Sequence, residues 1–174
     1  MRANRPPTLR SEGGHERSQV GMVELFFDLV FVFAITQLSH GLLEHLSPLG
    51  ALHTGLLFLG AWWLWIYTTW CTNWLNPAST AVRQLLFVLM LLALVMAAAL
   101  PRAFADRGLV FALAYVAQHL LRSAYMVHAF GAGSAHGRNF IRIFAWLAVS
   151  GTCWVLGGLA DPQARAFWWT AAIA

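Results

Sequence analysis

The stretch RQLLFVLMLLALVMAAAL, residues 83–100, decides the fold class of this protein. From Leu85 onward every residue in it is apolar, and the run stops at Pro101 and Arg102. A helix needs about 20 predominantly apolar residues to cross the hydrocarbon core of a bilayer. The strands of a membrane barrel would instead alternate polar and apolar residues over segments of about ten residues. The stretch therefore predicts a transmembrane α-helix.

Similar apolar runs lie on both sides of this stretch, separated by glycine, proline and charged residues. They predict an all-α fold, a polytopic transmembrane helix bundle of about six spans. The predicted spans are residues 22–43, 51–73, 83–100, 108–130, 140–159 and 164–174. The last span is truncated, because about ten residues cover only half of the bilayer core. We therefore expect the chain to be a fragment or one half of a longer protein.

The composition excludes a soluble domain. Of the residues, 59% are hydrophobic and only 10% are charged, whereas soluble domains carry about 25% charged residues. The formal net charge of +4 comes from arginine alone, since the chain has no lysine. Arginine beside a membrane segment usually sets its orientation. We therefore expect the lipid bilayer, and no nucleic acid, as the partner of this chain.

The distribution of arginine predicts the topology. Residues 1–19 are rich in Arg, Pro, Gly and Ser and predict a disordered cytoplasmic leader, with residues 20–174 forming the transmembrane domain. If the N-terminus is cytoplasmic, the inner flanks hold Arg2, Arg5, Arg10, Arg17, Arg83, Arg138 and Arg142, and the outer flanks hold Arg102, Arg107 and Arg165. Positive residues accumulate on the cytoplasmic side of membrane proteins. This excess predicts a multi-pass protein of the cell (inner) membrane with a cytoplasmic N-terminus.

Three charged residues stand out within the predicted spans, where burial in lipid is costly. Glu24 and Asp28 lie one turn apart on the same face of the first helix. Asp28 lies roughly 9 Å deep and Arg122, on the fourth helix, roughly 12 Å deep from the same membrane face. The matching depths predict a buried charged site of Glu24, Asp28 and Arg122, with His119 nearby. Such a site is either a structural ion pair or a binding site for a substrate, ion or proton.

The fourth span carries a polar stripe. Tyr115, Gln118, His119, Arg122 and Tyr125 follow a helical spacing that places them on one face. On a membrane helix such a face is expected to contact other helices or a water-filled cavity. His119 is either a proton carrier or a histidine with a structural hydrogen bond.

The second span carries an aromatic wall formed by Trp63, Tyr67, Trp70 and Trp74 at helical spacing. One interpretation is a belt of aromatic residues at the membrane interface, combined with packing. The other is a wall that binds a cation or an apolar ligand. Trp70 and Trp74 suit the belt, because they lie at the inner boundary of the span.

Motifs of known catalytic and cofactor sites are missing from the sequence. It contains no G-x-S-x-G elbow, no H-E-x-x-H, no phosphate-binding glycine loop and no Cys/His cluster at metal spacing. We therefore predict no catalytic residue, no cofactor and no metal site.

The first span opens with Val23-Glu24-Leu25-Phe26-Phe27-Asp28-Leu29-Val30-Phe31-Val32-Phe33-Ala34-Ile35-Thr36-Gln37-Leu38-Ser39. This long motif resembles the opening signature of the bacterial low temperature requirement A (LtrA) family. The likeness continues in residues 62–65, 69–73, 96–104 and 151–154, and at Tyr115-Val116 with Arg122. The resemblance implies a multi-pass bacterial membrane protein whose relatives are usually longer and have a second set of spans.

The resemblance implies no particular reaction, so the functional hypothesis rests on the buried charges. The leading hypothesis is a transporter or channel-like protein for a small solute or ion that uses the buried Glu/Asp–Arg site. The alternatives are a membrane-embedded enzyme acting on a lipid-like substrate, and a non-catalytic envelope protein supporting growth in the cold. Further expected partners are a C-terminal half or other copies of the chain in a homo-oligomer.

Overall fold

The computed structural model describes residues 8–9, 22–44, 46–76 and 78–173. These residues form six α-helices and one short 3-10 helix. The helices are α1 (Met22–Glu44), α2 (Pro48–Thr72), α3 (Thr80–Ala99), α4 (Gly108–Phe130), α5 (Ala135–Leu159) and α6 (Pro162–Ile173), with the 3-10 helix at Leu100–Arg102. Within the described ranges β structure is limited to an isolated bridge between Leu9 and Leu75. The prediction of an all-α bundle is confirmed.

The predicted leader, residues 1–19, lies outside the described residues except for Thr8 and Leu9. Its predicted disorder therefore stays a prediction. Thr8 accepts a hydrogen bond from the backbone N–H of Asn76 at 2.8 Å, next to the bridge that Leu9 forms. This short piece of the leader thus contacts the turn between α2 and α3.

Serine caps start two helices earlier than the sequence predicted. The side chain of Ser47 accepts from Gly50 N at 3.0 Å, and Pro48 occupies the first turn of α2, where its missing N–H costs nothing. Ser134 likewise accepts from Gly137 N at 2.8 Å and starts α5. The predicted starts at residues 51 and 140 were therefore too late, because the capping serines allow the turn residues to join the helix.

Consecutive helices run in opposite directions, so their ends meet in two groups. At one end His53, near the start of α2, stacks on Phe104, which follows the 3-10 helix, with ring centroids 3.7 Å apart. At the other end Trp74, after α2, contacts Phe130 and His136 at the turn between α4 and α5. These contacts place the α1–α2 and α3–α4 turns at one end, and the α2–α3 and α4–α5 turns at the other.

Four segments are long and apolar enough to cross a membrane. They are Leu25–Glu44, Pro48–Thr72, Thr80–Arg102 and Ala135–Leu159. Helix α4 has 23 residues and the length of a span, but its polar stripe lowers its hydropathy and it is not among the four. The bundle compensates for this polarity, because α4 packs against α3 and α5 and also touches α2. The polar helix is thus sheltered by the apolar ones.

Small residues let α5 approach α4 closely. A Cβ atom added at Gly158 would lie 2.9 Å from Leu109 Cα and 3.0 Å from Gly108 O, both backbone atoms. Small residues at helix interfaces permit this kind of contact in membrane proteins. A Cβ atom added at Gly55 on α2 would have no other atom within 4 Å.

These two glycines give a matched pair of variants. We expect Gly158→Ala to lower the free energy of unfolding by about 1–3 kcal/mol, because the backbone of α4 must move away. Gly55→Ala should raise it by up to about 1 kcal/mol through helix propensity. Thermal melting of the purified protein in detergent measures both, and equal melting temperatures would contradict the close packing of α4 and α5.

Candidate functional site

Arg122 lies at the centre of the candidate site. It is 1% exposed and projects from α4 towards α2. Its Nη1 donates to Thr68 Oγ1 at 2.6 Å and to the Leu64 carbonyl at 3.4 Å. The guanidinium carbon lies 4.1 Å from the centroid of the Tyr67 ring, a cation–π contact. Every one of these partners is uncharged.

His119, one turn before Arg122 on α4, completes the site. It is 2% exposed, and its Nδ1 lies 2.7 Å from Arg122 Nη2. Arginine can only donate, so Nδ1 must accept, and the proton of the neutral ring must lie on Nε2. Arg122 therefore fixes the tautomer of His119 and leaves it with a free Nε2–H donor.

Unsatisfied polar atoms are concentrated around these two residues. Five buried polar atoms lack a hydrogen bond of ordinary length among the described residues, although the hydroxyls of Tyr67 and Ser123 lie near enough to interact with each other: Tyr67 Oη, His119 Nε2, Arg122 Nε, Ser123 Oγ and Tyr125 Oη. Four of the five belong to residues 119–125 of α4, and the fifth belongs to the ring that faces Arg122. Buried polar groups are nearly always paired in native proteins. The cluster therefore indicates room for water or a polar ligand.

The predicted pair of Asp28 and Arg122 is wrong. Asp28 is exposed, and its Oδ1 accepts from Trp65 Nε1 at 2.8 Å. Helix α1 packs on α2 and α3, whereas α4 packs mainly on α3 and α5. Matching depth fixes only the position along the membrane normal, and the two side chains contact different sides of α2. The side chain of Glu24 lies outside the described residues, so its part in a charged site stays a prediction.

The other residues of the polar stripe divide into two groups. Tyr115 and Gln118 are buried at 5% and 1% exposure. Gln118 Nε2 donates to the Ala114 carbonyl at 3.1 Å, and the Tyr115 ring lies edge-on to His119 at 4.6 Å. Tyr125 is only partly buried and continues the stripe towards the C-terminal end of α4. The structure thus brings Tyr115 to the Arg122–His119 pair and uses Gln118 for packing within the bundle.

The aromatic wall of α2 has three different environments. Trp63 is 56% exposed, and the ring of Tyr67 makes the cation–π contact with Arg122. Trp70 contacts Phe140 on α5 at 5.9 Å between ring centroids, and Trp74 contacts Phe130 at 5.8 Å. The wall therefore lines the site only at Trp63 and Tyr67, while the last two rings join α2 to the turn between α4 and α5.

A cavity of about 380 Å³ adjoins His119. It is bounded by α2, α4, α5 and the last residues of α6, close to the middle of α2 and α4. Its lining includes Trp63, Tyr115, His119, Ser150 and Trp154. Gly60 and Gly151 also line it, and sequence reasoning missed both, because the sequence does not show which helices face them.

The described residues contain no group of three or more His, Cys, Asp and Glu side chains that could hold a metal ion. The chemistry that the site offers is hydrogen-bond donation beside a fixed positive charge.

Sequence reasoning also missed the role of Arg165, which it assigned to an outer flank. This residue of α6 is 5% exposed. Its guanidinium donates to carbonyls at the C-terminal end of α5 and after the 3-10 helix, namely those of Gly157, Gly158, Ala160, Ala103 and Ala105. Arg165 is therefore a structural cap that joins three segments. Nothing in the sequence distinguishes it from an arginine that only sets topology.

Comparison with known proteins agrees with this architecture. The family model for the bacterial low temperature requirement A protein matches residues 19–174. An uncharacterized protein of Rhizobium meliloti (strain 1021) is 45% identical over 175 residues, which cover 99% of this chain and 42% of the relative. The chain thus spans about two-fifths of the length of that relative. No solved structure matches it. Since the match extends from residue 19 to residue 174, the chain belongs to the bacterial low temperature requirement A (LtrA) family of membrane proteins.

Proposed function

We propose that this chain contributes the solute site of a transporter or channel-like membrane protein, and that the solute is a small anion. The observation that carries the proposal is the buried charge of Arg122. Among the described residues its contacts are a carbonyl, a hydroxyl, the thiol of Cys71, an imidazole and an aromatic ring, all uncharged. The only ion pair in the described part of the chain joins Arg102 and Asp106, both exposed.

An isolated charge such as that of Arg122 is costly to bury. Burying a cation without a counter-ion costs several kcal/mol, and buried charges in spans are usually paired or lie on a solute pathway. A purely structural arginine would be expected to have a carboxylate or a full set of carbonyls, as Arg165 does. Arg122 instead keeps an unpartnered Nε beside other unpartnered polar atoms. An anion that binds there transiently would neutralise the charge and accept these free hydrogen bonds.

The proposal is tested by electrical measurement of anion flux in proteoliposomes containing the full-length protein. Concentration jumps of chloride, phosphate and benzoate are applied in turn. We expect a current for at least one anion with the parent and none with Arg122→Met. Two variants serve as controls and should keep the current. Arg83→Gln removes an exposed arginine of α3, and Asp28→Asn keeps an acceptor for Trp65.

Two results would overturn the proposal. One is an equal current with the parent and with Arg122→Met, since the charge would then have no part in flux. The other is the absence of any anion current from a folded parent that turns over a lipid in detergent, where no gradient exists.

We also propose that the protein resides in the inner membrane with its N-terminus in the cytoplasm, on the strength of the arginine excess at the inner flanks. Gly133 lies in the exposed turn between α4 and α5, and Asp161 lies in the exposed turn between α5 and α6. In intact cells we expect a membrane-impermeant maleimide to label Asp161→Cys but not Gly133→Cys. The reverse pattern would invert the topology. Parallel labelling after permeabilisation shows that both cysteines can react.

A further inference from the structure

We propose that the cavity beside His119 binds the carboxylate of a small apolar organic acid, with the Nε2–H of His119 as the donor that recognises it. The inference deepens the proposed function, on which it rests, by naming the class of anion. It places the acid at the junction of α2, α4, α5 and α6.

The donor is identified by hydrogen-bond geometry. Arg122 Nη2 donates to His119 Nδ1 at 2.7 Å, which places the ring proton on Nε2. His119 is only 2% exposed and lines the cavity. Its Nε2 has no hydrogen-bond partner in the described part of the chain. A buried N–H that lacks an acceptor is costly. Nε2 itself is closed off from the surface, so an acceptor oxygen entering from the cavity would satisfy it after a small movement of the lining side chains.

The residues that line the cavity determine the chemical character of the main part of the ligand. They are mainly aliphatic and aromatic, with Trp62, Trp63, Trp146 and Trp154 contributing four indole rings. The hydroxyl of Ser150 already donates to the Ala172 carbonyl at 2.7 Å. Sites with apolar walls and a few fixed polar groups bind molecules that are apolar except at one end. A ligand with a flat or branched hydrocarbon body therefore fits this lining.

The positive charge of Arg122, next to the donor His119, determines that the polar group of the ligand is an anion. Arg122 lies on the far side of the His119 ring and has no carboxylate partner among the described residues. A positive charge held in an apolar surrounding favours an anionic acceptor over a neutral one. The acid also has a lateral way in, because Trp62, Trp63 and Trp146 at the cavity are 45%, 56% and 71% exposed and lie on helices long and apolar enough to cross a membrane. An apolar acid dissolved in the bilayer can therefore reach it.

The test is equilibrium binding of radiolabelled benzoate to the purified full-length protein in detergent. We expect saturable binding to the parent, with methyl benzoate, the neutral ester, competing about tenfold more weakly, as loss of a charge-assisted hydrogen bond predicts. His119→Phe removes the donor and should weaken binding by about tenfold or more. Leu147→Trp adds bulk to the cavity lining while leaving the His119 and Arg122 side chains in the protein, and it should abolish binding even if His119→Phe fails to fold.

The inference is overturned if the parent shows no saturable binding, if the ester competes as well as the acid, or if a folded Leu147→Trp binds benzoate like the parent. Competition by oleate as strong as by unlabelled benzoate would support the inference with membrane lipid as the source of the acid. Weak competition by oleate would support it with dissolved acids as the source.

Failure of this inference differs from failure of the proposed function. A chloride or phosphate current that depends on Arg122, without benzoate binding, overturns the organic acid and keeps the transport role. Benzoate binding that is lost in Leu147→Trp, without any anion current, keeps the site and overturns transport.

Discussion

Replacement of Arg165 by alanine is expected to lower the free energy of unfolding by about 3–5 kcal/mol, because several buried carbonyls lose a charged donor at a cost of about 1–3 kcal/mol each. The guanidinium donates to Ala103 and Ala105 carbonyls at 2.8 and 2.7 Å and to Gly157 and Ala160 carbonyls at 3.0 Å. Several of these carbonyls end α5 and have no acceptor role inside the helix. Alanine leaves the buried carbonyls of Ala103, Gly157 and Gly158 without this donor, and α6 loses its attachment to the turn after α3.

The measurement is thermal unfolding followed by size-exclusion chromatography in detergent. Arg165→Lys should recover only part of the loss, because an ammonium group lacks the planar arrangement of five donors. Arg102→Ala is the matched control. Its side chain is 60% exposed in an ion pair with Asp106, so the change should stay within about 0.5 kcal/mol. If Arg165→Ala and Arg102→Ala melted alike, the proposed cap would be wrong.

The second large effect is functional and concerns Arg122→Met. We expect this variant to lose anion flux while its free energy of unfolding stays within about 1 kcal/mol of the parent. Thr68 Oγ1 already donates to the Leu64 carbonyl at 2.8 Å. The hydroxyl and the carbonyl therefore keep a hydrogen bond when Arg122 is removed. His119 Nδ1 and the Cys71 thiol lose a hydrogen-bond partner, and methionine fills the vacated space with apolar atoms. Removing an uncompensated buried charge also removes its desolvation cost.

Loss of flux in a stable protein is the signature that separates a solute site from a structural one. The experiment therefore pairs thermal unfolding with the proteoliposome current for each variant. A drop of about 3–5 kcal/mol on Arg122→Met would show that an essential buried pair had been broken. It would favour a structural role, with a partner such as Glu24, whose side chain lies outside the described residues.

The fold class could be predicted from the sequence because the signal is local. A run such as residues 83–100 is apolar regardless of its neighbours, and its length alone selects a spanning helix. The end of α4 was also placed correctly, since Gly131 has a φ of 78°, a conformation that favours glycine. The starts of α2 and α5 were missed, because a serine cap extends a helix into residues that otherwise read as a turn.

The members of the candidate site could be predicted only in part. The helical period placed Tyr115, His119 and Arg122 on one face of α4, and the structure brings these three together. The partner of Arg122 could not be found in this way. Depth along the membrane can be counted in residues, whereas lateral position depends on which helices pack together.

The sequence by itself determined that this chain is a membrane helix bundle, that its helices follow the apolar runs, and that α4 carries an arginine within its predicted span. These properties follow from hydropathy and helical periodicity, which act over a few turns. Only the tertiary structure decided that Arg122 contacts Thr68, Tyr67 and His119 instead of Asp28, and that Arg165 is a buried cap. The physical reason is that both outcomes depend on contacts between distant segments, and those are set by the packing of α2, α4, α5 and α6 as a whole.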